Sequence, residues 1–180
     1  MPNWCSNFVQ ITHTDPAKIA ALAEAAADGR FCNAVRPCPA ELHDHTAPEM
    51  DEDRAKEFIE KYGAADWYTW QVNNWGTKWD VDPQGIEVSE DGTHLSFAFD
   101  SAWSPPIAIY EALQEDGYTV DAMYYEPGMG FCGRWTDGYD DTYDLGGLTA
   151  DQVEESIDPD VDAQFGISEY MAEWEAEQGE

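Results

Sequence analysis

Thirty-eight acidic and only eight basic side chains give this 180-residue chain a net charge of -30. Charges of one sign at this density repel each other in any compact state. The chain can therefore fold only around a large apolar core that keeps the carboxylates at the surface. Such a core is available, because 43% of the residues are hydrophobic and the chain carries 8 Trp, 9 Tyr and 7 Phe. We expect a folded domain rather than a disordered acidic chain.

The acidic residues are unevenly distributed. Residues 1–134 contain 23 acids and all 8 bases, whereas residues 135–180 contain 15 acids and no base. A quarter of the chain thus carries half of the net charge. The pair Gly146-Gly147 follows the acidic run 137–144 and predicts a boundary between a domain of residues 1–145 and an acidic extension of residues 146–180.

The composition excludes several kinds of partner. Direct DNA or RNA binding needs clustered Lys and Arg, and the bases here are scattered singly. An anionic membrane is disfavoured for the same reason. The chain has no stretch of about 18 apolar residues, and its N-terminus lacks the basic and apolar regions of a signal peptide. We predict a cytoplasmic protein, with four reduced cysteines and a basic protein surface as its partner.

Hydrophobic patterns along the chain alternate between strands and helices. They predict strands at 4–12, 75–81, 94–99, 119–125 and 130–135 and helices at 17–27 and 107–114, with an Asp91-Gly92 turn closing a hairpin between the second and third strands. An insertion of about residues 31–72, with a helical stretch at 51–62, follows the first helix. The order predicts an α+β fold, a ferredoxin-like βαββαβ sheet with two helices on one face. The acidic C-terminal extension adds helices at 149–157 and 167–177.

Four short stretches carry a resemblance to a known family. They are Pro2-Asn3-Trp4-Cys5, Asn74 to Asp80 (NWGTKWD), Ala102 to Pro106 (AWSPP) and Tyr125 to Gly133 (YEPGMGFCG). In these stretches the chain resembles the YubB-like family of phage and plasmid proteins, over roughly residues 1–135. The resemblance implies a ferredoxin-like domain and an origin on a mobile element. Related genes lie among early-entry genes, where countermeasures to host defence are common.

Several residues in and near these stretches are candidates for a binding pocket. They are Trp75, Lys78, Trp79, Asp80, Glu126 and Arg134. An alternative interpretation makes Lys78 and Arg134 internal charge partners of Asp80 or Glu126, and the Trp residues core packing. Because no nucleophile–base pair stands out, we predict a protein without enzymatic activity.

Two stretches offer the residue types of a metal site. Zinc ligands are offered by Cys32, Cys38, His43 and His45, at a wider cysteine spacing than zinc sites usually have. Calcium ligands are offered by Asp158, Asp160, Asp162 and Glu169, in the register of an EF-hand loop. Ala163 stands where that loop needs Gly, which predicts weak calcium binding. An acidic run also produces such a register by chance.

The acidic surface is the principal functional candidate. Thirty charges equal the phosphates of about 15 base pairs of duplex DNA. We predict a mobile-element protein that inhibits a host nucleic-acid-handling defence enzyme, such as a restriction or CRISPR-type nuclease, by occupying its DNA or RNA site. The predicted partner-binding acids are Asp137, Asp140, Asp141, Asp144, Glu154, Glu155, Asp158, Asp160, Asp162, Glu173 and Glu175. The alternatives are a high-salt-adapted protein of other function and a weak metal-binding module.

Overall fold

The computed structural model describes residues 2–178 and has an α+β architecture built on a six-stranded antiparallel sheet. The strands are β1 (Trp4–Thr12), β2 (Gln84–Val88), β3 (His94–Ala102), β4 (Thr119–Glu126), β5 (Phe131–Thr136) and β6 (Tyr139–Asp144). The helices are α1 (Pro16–Ala27), α2 (Phe31–Val35), α3 (Ala40–His43), α4 (Glu52–Tyr62), α5 (Trp67–Trp75), α6 (Ile107–Glu115), α7 (Ala150–Ser156), α8 (Pro159–Phe165) and α9 (Ile167–Gln178). In the sheet, the strands lie in the order β2-β3-β1-β4-β5-β6.

The first strand and helix form where the sequence predicts them. In β1, alternate residues from Cys5 to Ile11 are buried, as expected of a strand whose inner face meets the core. The Asp15 side chain caps α1 by accepting a hydrogen bond from the Ala17 N–H at 2.9 Å. Pro16 follows at the first helical position, where its missing N–H costs nothing.

One face of the sheet holds the larger apolar cluster, which we call the main core. It is covered by α1, α6 and the helices of the insertion. The strands contribute Val9, Ile11, Leu95, Phe97, Val120 and Trp135, and α1 and α6 contribute Ile19, Leu22, Ile109 and Leu113. Two helices from separate parts of the chain therefore share one side of the sheet.

The opposite face of β4 and β5 is covered by the acidic extension. A separate apolar cluster, which we call the tail cluster, consists of Cys132, Leu145, Val153, Ile157, Val161 and Ile167. Met123 and Tyr125 of β4 pack against it. The predicted helices at 149–157 and 167–177 are present as α7 and α9, and their apolar sides face the sheet while most of their acids face outward.

The acidic run 137–144, which lies before the predicted boundary at Gly146-Gly147, is part of the sheet. Asp137 and Gly138 have φ values of 50° and 84°, as the tight turn favoured by Asp-Gly requires, and β6 pairs with β5 beyond them. Gly133 permits this arrangement. A Cβ there would lie 2.4 Å from the Tyr124 hydroxyl and 2.5 Å from the Asp141 carbonyl oxygen.

The predicted strand at 75–81 is wrong. Trp75 ends α5, and Gly76 caps the helix in the left-handed region with a φ of 85°. A Cβ on Gly76 would lie 3.1 Å from the Pro105 carbonyl oxygen, so a larger residue would also crowd the backbone there. The hairpin partner of β3 is instead β2, whose register shifts between Gln84 and Glu87.

Candidate functional site

The four stretches that carry the family resemblance converge at one end of the sheet. The Trp103 N–H donates a hydrogen bond to the Asn3 carbonyl at 2.9 Å. The Thr77 hydroxyl accepts from the Ala102 N–H at 3.0 Å and donates to the Ala102 carbonyl at 3.2 Å, which ties the segment after α5 to the end of β3. Gly128 lies so close to Asn3 that a Cβ would come within 2.6 Å of its Nδ2.

Lys78 lies among exposed aromatic rings at this end. Its Nζ is 4.4 Å from the Trp79 ring centroid, 5.4 Å from that of Tyr68 and 5.5 Å from that of Trp103. Trp4 extends the group, with its ring centroid 6.2 Å from that of Trp79. Trp4, Trp79 and Trp103 are 47%, 39% and 41% exposed. The cation is therefore stabilised by ring faces.

Asp80 and Glu126 bind backbone N–H groups instead of the two candidate cations. Asp80 accepts hydrogen bonds from the first turn of α2 at 2.8 and 3.0 Å, and so caps that helix from a distant part of the chain. Glu126, only 1% exposed, accepts two from the turn between β4 and β5, at 2.9 and 2.6 Å. The interpretation of Lys78 and Arg134 as their charge partners is wrong.

Arg134 projects from β5 into a cluster of carboxylates. Its guanidinium donates to both Asp121 oxygens, at 2.8 and 2.6 Å, and to Asp158 at 3.2 Å and Asp160 at 3.0 Å. The hydrogen bond to Asp121 is the main cause that raises the pKa of Arg134 further above its ordinary value, so the side chain remains a cation. These ion pairs fasten the start of α8 to β4 and β5.

Only part of the predicted pocket forms one site. Trp75, Trp79 and Asp80 line a cavity of about 690 Å³, which we call the insertion cavity, whereas Lys78, Glu126 and Arg134 are not among its lining residues. Helix α5 contributes Trp67, Gln71 and Trp75, which share one helical face because they are spaced four residues apart. The rest of the wall is formed by Gly29, Arg30, Asn33, Cys38, Ala40 and His43.

The four predicted zinc ligands are not brought together as a metal-binding group. Burial raises the pKa of the Cys32 thiol, and raises that of Cys38 to about 11. The ring of His43 lies parallel to Trp67, with centroids 6.4 Å apart, while His45 meets the edge of Phe58. Within residues 2–178, no three His, Cys, Asp or Glu side chains are arranged to hold a metal ion.

The predicted calcium loop is a helix, so the EF-hand interpretation is wrong. Pro159 occupies the first turn of α8, and the Asp158 side chain caps that turn by accepting from the Asp160 N–H at 2.8 Å. Asp162 accepts hydrogen bonds from the backbone and hydroxyl of Ser168, at 2.8 and 2.6 Å. Three of the four predicted calcium ligands, Asp158, Asp160 and Asp162, are therefore bound to protein groups.

The eleven predicted partner-binding acids divide into two groups. Six accept hydrogen bonds that stabilise the fold: Asp140, Asp144, Asp158, Asp160, Asp162 and Glu175. For the other five the described part of the chain contains no hydrogen-bond or ion-pair partner, and all five are exposed: Asp137, Asp141, Glu154, Glu155 and Glu173. We call these five the outer acids.

The bases do not form a positive patch. Five of the eight pair with carboxylates: Arg30, Arg54, Lys56, Lys61 and Arg134. Lys18 and Arg36 donate to backbone carbonyls, at 3.1 and 3.4 Å, and Lys78 lies among the aromatic rings. Each positive charge is therefore engaged locally, and the field outside the protein is that of the acids.

Comparisons with known proteins give a single weak structural similarity. No protein-family model and no curated protein matches this chain. The chain is similar to the crystal structure of protein api92 from Yersinia pseudotuberculosis, which is assigned to the family model DUF1281. The similarity covers 82% of this chain and 99% of the api92 chain. The TM-score is 0.38 and the sequence identity is 11%, values too low to support an argument about function.

The arrangement supports binding chemistry. The outer acids are exposed carboxylates, the exposed rings around Lys78 form an aromatic surface, and the insertion cavity offers a concave one. In the part of the chain that the structure describes, no helix is long and apolar enough to span a membrane.

Proposed function

We propose that this protein is a mobile-element inhibitor that binds the basic nucleic-acid site of a host defence enzyme in the host cytoplasm, without catalysing a reaction itself. The observation that carries the proposal is the set of outer acids. They lie exposed on β6, α7 and α9 or in the turn before β6, without internal partners among residues 2–178. Such carboxylates are free to pair with the Arg and Lys side chains that normally hold phosphates.

The fixed position of the outer acids supports the same proposal. Their helices pack on the sheet through the tail cluster, and Arg134 fastens α8 to β4 and β5. A partner therefore meets carboxylates that are already in place. Binding then costs less conformational entropy than ordering a loose acidic tail would.

The test is inhibition of DNA cleavage by a panel of purified restriction endonucleases and CRISPR-type nucleases. We expect inhibition that competes with the DNA substrate and weakens between about 50 and about 300 mM KCl, as counterion-dependent contacts do. Replacing the outer acids by Asn or Gln should remove inhibition while the circular dichroism spectrum and the melting temperature are retained.

A matched control removes the same number of charges elsewhere. Glu57, Glu60, Glu90, Glu111 and Glu115 are exposed and have no hydrogen-bond partner in the described chain, so their replacement by Gln changes the net charge equally. This control variant should still inhibit. Equal loss of inhibition in both variants, or no inhibition by the wild type at any salt concentration, would contradict the proposal.

We further propose that the sheet belongs to the ferredoxin-like class. The order β2-β3-β1-β4, with α1 and α6 packed on one face, supports this assignment, with β5 and β6 as additional strands. An experimental structure in which β1 is not central, or in which α1 and α6 cover opposite faces, would exclude it.

A second explanation of the acidity, adaptation to high salt, is favoured by one observation. Acids are also exposed on the other side of the molecule, for example Glu24 on α1, Glu57 on α4 and Glu111 on α6. Thermal unfolding from tens of millimolar to about 3 M KCl separates the explanations. A protein that folds only in molar salt is adapted to its solvent, whereas one that is stable at low salt tolerates its charge for another reason.

A further inference from the structure

We propose that the insertion cavity binds a neutral heteroaromatic amine of the nucleobase or nucleoside class. The cavity opens to the surface and is bounded by α5, by α3 and by the junctions that precede α2 and follow α5. Its volume of about 690 Å³ is in the range of small-molecule sites. This site is separate from the outer acids, so the inference does not depend on the proposed inhibitor function.

Aromatic side chains form much of the wall. Trp67 and Trp75 line it from α5, Trp79 from the segment beyond, and His43 from α3. Trp75 is held in place, since its Nε1 donates to the Arg36 carbonyl at 2.8 Å. Indole faces are the surfaces on which planar rings stack, and stacking of one base contributes about 1–3 kcal/mol in nucleic-acid-binding proteins.

One polar group of the cavity wall, the Gln71 amide, is buried and incompletely hydrogen-bonded. Gln71 is only 4% exposed, and its Oε1 has no hydrogen-bond partner among the described residues. A buried amide oxygen without a partner destabilises the folded protein, whereas a ligand N–H would satisfy it. The neighbouring Cys38 is a poor nucleophile, because burial raises its pKa to about 11, an effect that the Gln71 amide partly offsets. The site is therefore suited to binding.

The charges around the cavity decide between neutral and anionic ligands. Asp80 lies in the wall, and both of its oxygens already accept backbone hydrogen bonds. The cation of the rim, Arg30, pairs with Asp28 at 2.8 Å. A phosphate would thus be repelled by the Asp80 carboxylate and by the field of a protein with a net charge of -30. The guanidinium of Arg30 would offer little compensation, because it is already paired with Asp28. The free base or nucleoside fits, and the nucleotide does not.

The first experiment is saturation-transfer NMR with adenine, adenosine, cytidine and benzimidazole as probes, followed by calorimetric titration of those that bind. We expect saturation transfer to at least one neutral amine, and weaker or no transfer to adenosine monophosphate. We also expect 1-methylbenzimidazole, which lacks an N–H donor, to bind at least about tenfold more weakly than benzimidazole, the equivalent of one hydrogen bond.

Gln71→Leu is the decisive variant. It keeps the side-chain volume and removes the unpaired oxygen, so we expect the melting temperature to rise by about 2–6 °C while probe affinity falls about tenfold or more. The matched control is Gln164→Leu, an exposed helical glutamine that lines another cavity, which should leave both quantities unchanged. His43→Ala, at an exposed position, should also weaken binding while the protein remains folded.

Each result bears on the proposal. Loss of probe binding in Gln71→Leu but not in Gln164→Leu supports it. Four results would overturn it: no transfer to any neutral amine, equal binding by Gln71→Leu, equal binding of the nucleotide, or destabilisation by Gln71→Leu. Destabilisation by Gln71→Leu would show that the amide oxygen has a hydrogen-bond partner within the protein. Should Gln71→Leu fail to fold, His43→Ala decides, and unchanged affinity in that variant would likewise overturn the proposal.

Discussion

The two faces of the sheet are covered by different means. The main core is formed by residues of the strands, of α1 and α6, and of the insertion. The tail cluster has only six buried members among the described residues, and ion pairs of Arg134 also hold the extension on the sheet; we call Arg134 the anchor. A large apolar core is stabilised by buried area, which salt strengthens slightly. The stability of a small cluster that is also held by ion pairs depends on the charges around it. One chain thus combines an apolar scaffold with an electrostatically fastened cover.

The largest expected effect is in the main core. Phe97 is fully buried, and we expect Phe97→Ala to lower the free energy of unfolding by about 3–5 kcal/mol, through lost burial and the resulting cavity. Val161→Ala in the tail cluster should cost about 2 kcal/mol. Urea unfolding gives these values, and hydrogen exchange shows where each variant opens.

We expect Phe97→Ala to increase exchange throughout the sheet, and Val161→Ala to increase it in α7 to α9 alone. If Val161→Ala opened the whole sheet, the two clusters would be one cooperative unit, and the contrast between the faces would be broken.

The next largest effect is at the anchor. Arg134→Gln leaves Asp121, Asp158 and Asp160 close together without their cation, and we expect a loss of about 2 kcal/mol. Because mutual repulsion of the carboxylates causes much of this loss, added KCl should reduce it. Thermal unfolding of the variant and the wild type across a KCl series measures the difference.

Arg30→Gln is the control for that experiment, since its pair with Asp28 is fully exposed to solvent. It should change stability too little to measure. A loss in Arg134→Gln that did not depend on salt would assign the anchor to packing rather than charge.

The smallest effect is the loss of stability over the first pH unit above about pH 8.5. Burial raises the pKa of the Cys132 thiol, in the tail cluster, to about 12. It also raises the pKa of the Cys5 thiol, on β1, to about 12. Both thiols are protonated in either state below about pH 8.5, so their effect on stability is constant there. As pH rises further, the unfolded chain loses these protons first, and stability falls until about pH 12 is reached. The slope is at most about 1.4 kcal/mol per pH unit for each thiol.

Above about pH 8.5, the free energy of unfolding should therefore fall less steeply with pH in Cys132→Ala than in the wild type, because one titrating thiol is absent. The same is expected of Cys5→Ala. Hydrogen exchange at rising pH should show α7 to α9 opening before the main core. An unchanged slope in Cys132→Ala would mean that this thiol is already ionised or exposed in the folded protein.

Local signals predicted much of this fold, and long-range contacts account for what they missed. The signals for β1 and α1 depend on adjacent residues, and both elements are found where they are predicted. The strand predicted at 75–81 is absent because this segment does not pair with β3 through its backbone. The Thr77 side chain instead forms two hydrogen bonds with the backbone at the end of β3. Strand β6 is not among the predicted strands, although Asp137-Gly138 is a pair typical of hairpin turns, because its three aspartates leave no clear apolar alternation.

The same distinction applies to the site. Trp75, Trp79 and Asp80 are close in sequence, and the structure places all three in the wall of the insertion cavity. The partners of Arg134 lie 13 to 26 residues away and depend on the register of β4 with β5 and on the docking of α8. Gln71 gave a weak signal, its spacing of four residues from Trp67 and Trp75, which indicates a shared helical face but not an unpaired amide.

The outermost strands of the sheet have a consequence for self-association. An open strand edge offers unpaired backbone groups to any other strand, including that of a second copy, and so invites fibre growth. At one edge β6 carries Asp140, Asp141 and Asp144, while at the other β2 is irregular between Gln84 and Glu87. Stacking two copies through β6 would place rows of like charges side by side. The same carboxylates that oppose folding therefore help to keep the folded protein from aggregating.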